Sequence, residues 1–309
     1  MSNLTARQLQ VFVAAAETLS FARVAERLRL TPSAVSFQVR QIERQTQVAL
    51  FERIGRRVAL TAAGRVLLDY AQRVLRGLSD LDQAVLALKD VGEGQVTLGL
   101  VSTAKYIVPH MIARFRLRHP GVVVMLRDGN RSFIQAALAS GALDLAIMGQ
   151  AAPGADVVAQ RFALHPSLII GPPGHKLLEC AQVAPALLRS EWFIVREQGS
   201  GTRLLSDAFF HAAGFTPRVA METSSNEMIK QAVIAGMGLA LLSQHTVGLE
   251  HSLGLLGVLP VEGFPVMRSW FVAQRRNAPM LPAQAALRDF VVEHGQSIID
   301  ALAPTRPQS

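Results

Sequence analysis

Between Phe21 and Arg44 the sequence permits little besides two short helices joined by a tight link. Val24, Ala25 and Leu28 form the apolar face of a helix over Phe21–Leu28, and Leu19-Ser20-Phe21 supplies the break and N-cap before it. After Arg29-Leu30, the dipeptide Thr31-Pro32 gives a capping hydroxyl followed by proline at the first helical position, so another helix starts at Pro32. Leu9, Phe12, Val13 and Ala16 recur at helical spacing and predict a first amphipathic helix upstream. Two helices so closely linked suit a helix-turn-helix, with small Ala25 letting the pair approach.

The helix from Pro32 has two distinct faces. Val35, Val39 and Ile42 anchor it to a core, while Ser33, Ser36, Phe37, Arg40 and Arg44 line the opposite side. That second set places hydroxyls and an aromatic ring near the N-terminal end, where a recognition helix meets base edges. Ser36 suits a base or a phosphate, Phe37 a thymine methyl, and Arg40 guanine or phosphate. A merely solvated helix face is the competing reading, and the surrounding charge argues against it. Residues 1–60 hold nine arginines against four glutamates, most of the chain's net +8. Such an Arg-dominated block favours phosphate contact. Next, Leu50-Phe51-Glu52-Arg53 and Val58-Ala59-Leu60 read as strands around Ile54-Gly55-Arg56-Arg57, a wing whose Arg53, Arg56 and Arg57 would follow the backbone or enter a minor groove.

Phe21-Ala22-Arg23-Val24-Ala25-Glu26-Arg27-Leu28, Ala34-Val35-Ser36, Leu50-Phe51-Glu52-Arg53 and Leu60-Thr61-Ala62-Ala63-Gly64 together resemble LysR-type transcriptional regulators. The family usually places Gln between the capping Thr and the following Pro or Ser. Pro32 stands there instead, so base readout by that Gln is lost or moved.

Beyond the Thr61 cap, Leu67, Ala71, Val74, Leu78, Leu81, Val85 and Leu88 alternate at spacings of four and three, a seam for a partner helix or for packing on the chain's own domain. Flanking Asp, Arg and Gln residues favour dimerisation. The resemblance implies paired linker helices and a dimer of dimers, whose recognition helices would read an inverted repeat in double-stranded DNA. RNA polymerase is a further expected partner.

From Gly92-Glu93-Gly94, read as a hinge, strands alternate with helices. Strands are expected over 95–101, 122–126, 143–148, 167–170, 192–195, 219–221, 239–242 and 269–273. This alternation predicts parallel-rich sheets covered on both faces, with ligands at the carboxyl ends of strands. The resemblance implies a mainly α winged helix-turn-helix (1–60), a linker helix (61–91) and an α/β type-2 periplasmic-binding-protein-like domain (92–303). Two crossing strands would join its subdomain I (92–162 and 268–303) to subdomain II (163–267).

Polar residues gather where strands end: Ser102, Thr103 and Lys105 after the first, and Glu197, Ser200, Thr202 and Arg203 after Val195, each group preceding a helix. Free backbone N–H groups and a positive helix end would attract a carboxylate or phosphate, with Lys105 and Arg203 adding charge. Ser or Thr before a helix is most often only a cap. Two such caps with Gln150 and Asn226 at other element ends tip the balance toward a site. Gly99-Leu100-Val101-Ser102-Thr103-Ala104-Lys105-Tyr106, the segment 197–203 and Asn226-Glu227-Met228-Ile229-Lys230-Gln231-Ala232-Val233 resemble the regulators of the Calvin-cycle (RuBisCO) operon. That resemblance implies a phosphorylated metabolite or NADPH as effector, and no bound cofactor.

Other classes find less support. No G-x-G-x-x-G, Walker loop, H-E-x-x-H or cysteine cluster points to an enzyme, and the eight histidines never fall at metal-ligand spacing, although His245 lies near a strand end. A transport receptor would share the C-terminal fold, but it needs no basic domain and would carry an export signal. A nonspecific nucleic-acid binder would show a steep salt slope without sequence preference. Cys180 is the only cysteine, so no intrachain disulfide forms. The most apolar run, around Ala232 to Ser243, is interrupted by Gly236 and Gly238 and is too short for a bilayer. A soluble, cytoplasmic protein is expected.

Overall fold

The computed structural model describes residues 4–54, 57–89, 93–149 and 156–302, in two compact units that divide between Leu88 and Lys89. The first opens with α1 (Ala6–Thr18), α2 (Phe21–Leu28) and α3 (Pro32–Thr46). Each starts on a capping hydroxyl: Thr5 accepts from the Gln8 amide, Ser20 from Arg23 and Thr31 from Ala34. Each ends on a left-handed residue, Leu19, Arg29 or Gln47, which turns the chain at once. Val11, Ala15, Val24, Ala25, Val35 and Val39 close one apolar cluster between the three helices.

β1 (Phe51–Ile54) and β2 (Arg57–Leu60) pair antiparallel from Phe51↔Leu60 to Ile54↔Arg57. Ile54 and Arg57 thus belong to the strands, not to the turn as expected from sequence, and Leu50 lies before the hairpin. Arg56 lies outside the described residues. Phe51 packs its ring edge-on against Phe12 and Phe21, and Glu43 accepts from the Leu50 amide at 2.8 Å, fixing the hairpin to α3.

Helix α4 (Ala62–Lys89) begins on Thr61, whose hydroxyl accepts from Gly64 N and donates to Ala49 O. A Cβ at Gly64 would stand 2.2 Å from Leu50 O, so only glycine lets the helix pass the backbone this closely. The expected seam splits in two. Leu67 and Ala71 pack into the core of their own unit with Leu9, Phe12, Ile42 and Leu50, whereas Val74, Leu78, Leu81 and Val85 are exposed by 43 to 59%. A stripe continuous in sequence therefore serves first as core and then as an uncovered face.

The second unit contains β3 (Gly94–Val101), α5 (Val108–Arg118), β4 (Val122–Gly129), α6 (Arg131–Ala139), β5 (Leu145–Met148), β6 (Val157–Gly171), β7 (Trp192–Arg196), α7 (Gly201–Ala212), β8 (Arg218–Thr223), α8 (Asn226–Ile234), β9 (Ala240–Ser243), α9 (Gln244–Ser252), β10 (Gly257–Val258), β11 (Val266–Arg275) and α10 (Pro282–Asp300). Gly92 of the expected hinge lies outside the described residues. β3 pairs parallel with β4 and β5, but β11 runs antiparallel to both β5 and β6, and β9 and β10 antiparallel to β6. This seven-stranded sheet is mixed, which corrects the parallel-rich expectation there, while β7 and β8 pair parallel in a second sheet as expected. The fifteen-residue β6 and ten-residue β11 pass through both lobes as the two crossing strands of a type-2 periplasmic-binding-protein-like fold. One lobe buries Leu98, Phe115, Trp270, Leu287 and Phe290. The other covers its strands with α8 on one face, through Ile229 and Val233, and with α7 on the opposite face, through Phe210. No helix among the described residues is long and apolar enough to cross a membrane.

Candidate nucleic-acid interface and anion cleft

On α3, Val35, Val39 and Ile42 are buried, so the helix must turn its other side outward. Ser33, Phe37, Arg40 and Arg44 are exposed there, and Ser36 is half-buried. Phe37 leaves 51% of its surface in solvent, unusual for a phenyl ring in a small domain unless something covers it. Ser33 shares a hydrogen bond with the capping Thr31 at 2.9 Å, which holds the first turn. Arg40, Arg44 and Arg53 are exposed and have no carboxylate partner among the described residues, whereas Arg27 is paired with Glu17 at 3.0 Å. Unpaired arginines beside a helix end rich in hydroxyls are what a phosphate backbone neutralises.

In the second unit, the carboxyl ends of β3, β4 and β7 meet the crossing strands around a narrow cleft of about 30 Å³. Ser102 and Thr103 enter from one lobe, Ser200 and Thr202 from the other. Ser200 caps α7 by accepting from Thr202 N at 3.2 Å. Ser102 instead opens a five-residue 3-10 turn, Ser102–Tyr106, without a side-chain cap, so only one of the two expected helix termini is an α-helix end. Lobe closure is held by Ser132 N donating to Gly199 O at 3.2 Å.

The positive charge comes from residues that the sequence pattern did not single out. Arg268, on β11, donates to Ser167 Oγ at 3.1 Å and to Gly201 O at 3.5 Å, and has no carboxylate partner among the described residues. Burial pulls its pKa down to about 10, leaving it cationic at neutral pH. His165, on β6, is buried with its ring stacked on Trp270 at 3.8 Å. Burial, and then the neighbouring Arg268 and His245, hold its pKa well below the usual histidine value. Its Nε2 faces Arg268 NH2 at 3.5 Å. A guanidinium only donates, so Nε2 accepts and the proton sits on Nδ1. Arg131 and Asn130, at the start of α6, complete the lining.

Buried donors without a partner gather here: Arg131 Nε, His165 Nδ1 and Arg268 Nε, with Asn226 Nδ2 in the adjoining space. Each such group costs about 1–3 kcal/mol if nothing accepts from it. Four unmet donors, one of them on the unpaired Arg268 guanidinium itself, describe a receptor for an anion rich in acceptor oxygens.

The remaining expected residues fall elsewhere. Lys105, Glu197 and Asn226 line a second, wider part of the cleft, about 450 Å³, which shares Ser102, Asn130 and Arg196 with the first. Lys105 is paired with Asp128 at 2.5 Å. Glu197 takes Arg196 in two bonds at 2.8 and 3.1 Å, and Asn226 Oδ1 accepts from the same guanidinium at 2.7 Å. Arg203 does not line the cleft. Asp207 and Glu222 hold it at 2.9 and 2.7 Å, and these bonds raise its pKa against the effect of burial. Its expected part in drawing an anion is therefore corrected: its charge is already spent. Gln150 lies outside the described residues. His245 borders a different cavity, on the far side of the crossing strands.

A winged helix-turn-helix with an uncovered arginine face, joined to a two-lobed ligand cleft, defines a ligand-responsive DNA-binding transcription regulator. The chain belongs to the LysR family: residues 6–65 match the bacterial regulatory helix-turn-helix protein of the lysR family, and residues 89–296 match the LysR substrate binding domain. It is thus a regulator and not an enzyme. Among its relatives, the HTH-type transcriptional regulator CfxR of Cupriavidus necator is 43% identical over 94% of this chain and 92% of that protein. The RuBisCO operon transcriptional regulator of Allochromatium vinosum is 39% identical over 94% and 96%. Among solved structures, the CcmR regulatory domain of Synechocystis PCC6803 in complex with 2-PG superposes with a TM-score of 0.63 at 33% identity, over 65% of this chain and 97% of that one.

Proposed function

We propose that this regulator governs a carbon-fixation operon and that its effector is a small phosphorylated carboxylate of the 2-phosphoglycolate type, bound between Ser102, Thr103, Ser200, Thr202, His165 and Arg268. The observation that carries this reading is the set of unmet donors around an unpaired Arg268. The relatives supply the pathway and the 2-phosphoglycolate precedent. They lend nothing to NADPH, the other effector expected from the sequence. On the DNA side, Ser33, Ser36, Phe37 and Arg40 reach base edges, while Arg44, Arg53, Arg56 and Arg57 meet phosphates. The exposed Val74, Leu78, Leu81 and Val85 cover one another between two copies, so that paired recognition helices read an inverted repeat.

Effector in the cleft favours one lobe angle over another, and the oligomer passes that preference through the linker helices to the spacing of the DNA-binding pairs. Such coupling requires different effector affinity in the two states. Calorimetric titration with 2-phosphoglycolate, glycolate and inorganic phosphate tests the ligand: saturable binding of the first, with each fragment far weaker, is expected. Footprints with and without 2-phosphoglycolate test the coupling; identical footprints at saturation would remove it.

A further inference from the structure

On the side of the crossing strands away from the anion cleft lies a larger open cavity, about 440 Å³, bounded by α9 from one lobe, α10 from the other, and β6 between them. The pleat of β6 creates the two sites back to back. His165 lines the anion cleft, whereas Leu164, Pro166 and Leu168 line the larger cavity. Its wall is mostly aliphatic, and its polar groups are biased toward acceptors. His245 Nε2 faces Leu164 O at 3.2 Å and His251 Nδ1 faces Leu256 O at 3.4 Å. A carbonyl only accepts, so Nε2 of His245 carries the proton and its Nδ1 keeps its lone pair. Burial keeps the His245 pKa below the ordinary histidine value, against the opposing pull of Leu164 O and Asp300. Among the described residues, Asp300 is the only lining residue that is an acid or a lysine or arginine, and Gln296 engages one of its oxygens at 2.7 Å.

We propose that this cavity is a second ligand site, selective for a molecule with an apolar ring or chain that carries N–H donors and is neutral or cationic, the converse of the anion taken by the first cleft. Both lobes contribute walls, so its dimensions follow the lobe angle. Gly248, in the interior of α9, lines the cavity. Leucine there favours the helix over glycine while filling the space, so Gly248→Leu closes the site without weakening the element.

Benzamidine and benzoate form a matched probe pair, the same ring bearing donors and a positive charge or acceptors and a negative one. Calorimetric titration of the full chain should show saturable one-to-one binding of benzamidine and at least tenfold weaker binding of benzoate. Gly248→Leu and Asp300→Asn should each weaken benzamidine at least tenfold. Binding of 2-phosphoglycolate is a separate readout of the first cleft, and either result there leaves this test intact. Benzoate binding as tightly as benzamidine, absence of benzamidine binding, or unchanged benzamidine affinity in a folded Gly248→Leu or Asp300→Asn variant overturns the proposal.

Discussion

Replacing Arg268 by glutamine separates ligand recognition from fold stability, because the structure assigns this guanidinium a cost in the empty protein. Burial draws its pKa down to about 10, which corresponds to a burial penalty on the order of 3 kcal/mol. Three hydrogen bonds, to Ser167 Oγ, Gly201 O and His165 Nε2, offset part of it, and Nε is left without a partner. Glutamine removes the buried charge and keeps a donor, so the apo protein should be as stable as the parent or slightly more so. The anion, by contrast, loses a cleft cation that no carboxylate among the described residues holds. Truncating one partner of a buried charge pair costs about 2–5 kcal/mol, or about 30-fold to a few thousand-fold in Kd. Calorimetry with 2-phosphoglycolate and urea denaturation without it give the two numbers, and unchanged binding to a target promoter fragment confirms that the N-terminal unit is intact. An affinity within threefold of the parent would refute the cleft as the effector site. A fall in apo stability with unchanged affinity would make Arg268 a structural residue.

Leu78→Glu combined with Leu81→Glu should turn the oligomer into monomers by light scattering while shifting the stability of the isolated chain by less than about 0.5 kcal/mol, since both side chains are exposed in the monomer. Gly64→Ala forces a Cβ against Leu50 O and should destabilise the N-terminal unit by about 1–3 kcal/mol in chemical denaturation. Arg40→Ala should weaken binding to the cognate site, and Arg53→Ala should lower the slope of log affinity against log salt by about 1; an unchanged slope would place Arg53 off the DNA. His165, neutral in the folded chain, faces an unfolded state that takes up a proton near 6.5. Its contribution is complete above that pH and declines as pH falls toward the lower folded value. The melting temperature should therefore drop between about pH 7 and about pH 5.5, and less steeply in His165→Gln.

The helix-turn-helix is legible in the sequence because its determinants are local: Ser20, Thr31 and Pro32 mark helix starts within the residues they start, and Val35, Val39 and Ile42 repeat on one face. Periodicity does not reveal which surface covers a stripe, so Leu67 and Ala71, which enter their own unit's core, look identical in pattern to the exposed Leu78 and Leu81. Nor does it find the long crossing strand: Val157–Pro166 carries Gln160, Arg161, His165 and Pro166 and lacks clean alternation, and its partner β11 lies about a hundred residues away.

The anion cleft shows why cations at helix starts mislead. Lys105 and Arg203 lie close to the strand and helix ends, where the backbone favours negative charge, but the same ends lie beside acidic residues, and Asp128, Asp207 and Glu222 neutralise both. An effector competing for either would have to displace a carboxylate already in place. Arg268 instead rises from the interior of a strand, between Met267 and Ser269, where the neighbouring positions offer no acid and the facing strand presents His165 and Ser167. A charge held there keeps part of its burial cost until an anion is brought to it. An empty site of this kind is an energetic liability, and that is what makes its occupation capable of shifting the balance between lobe angles.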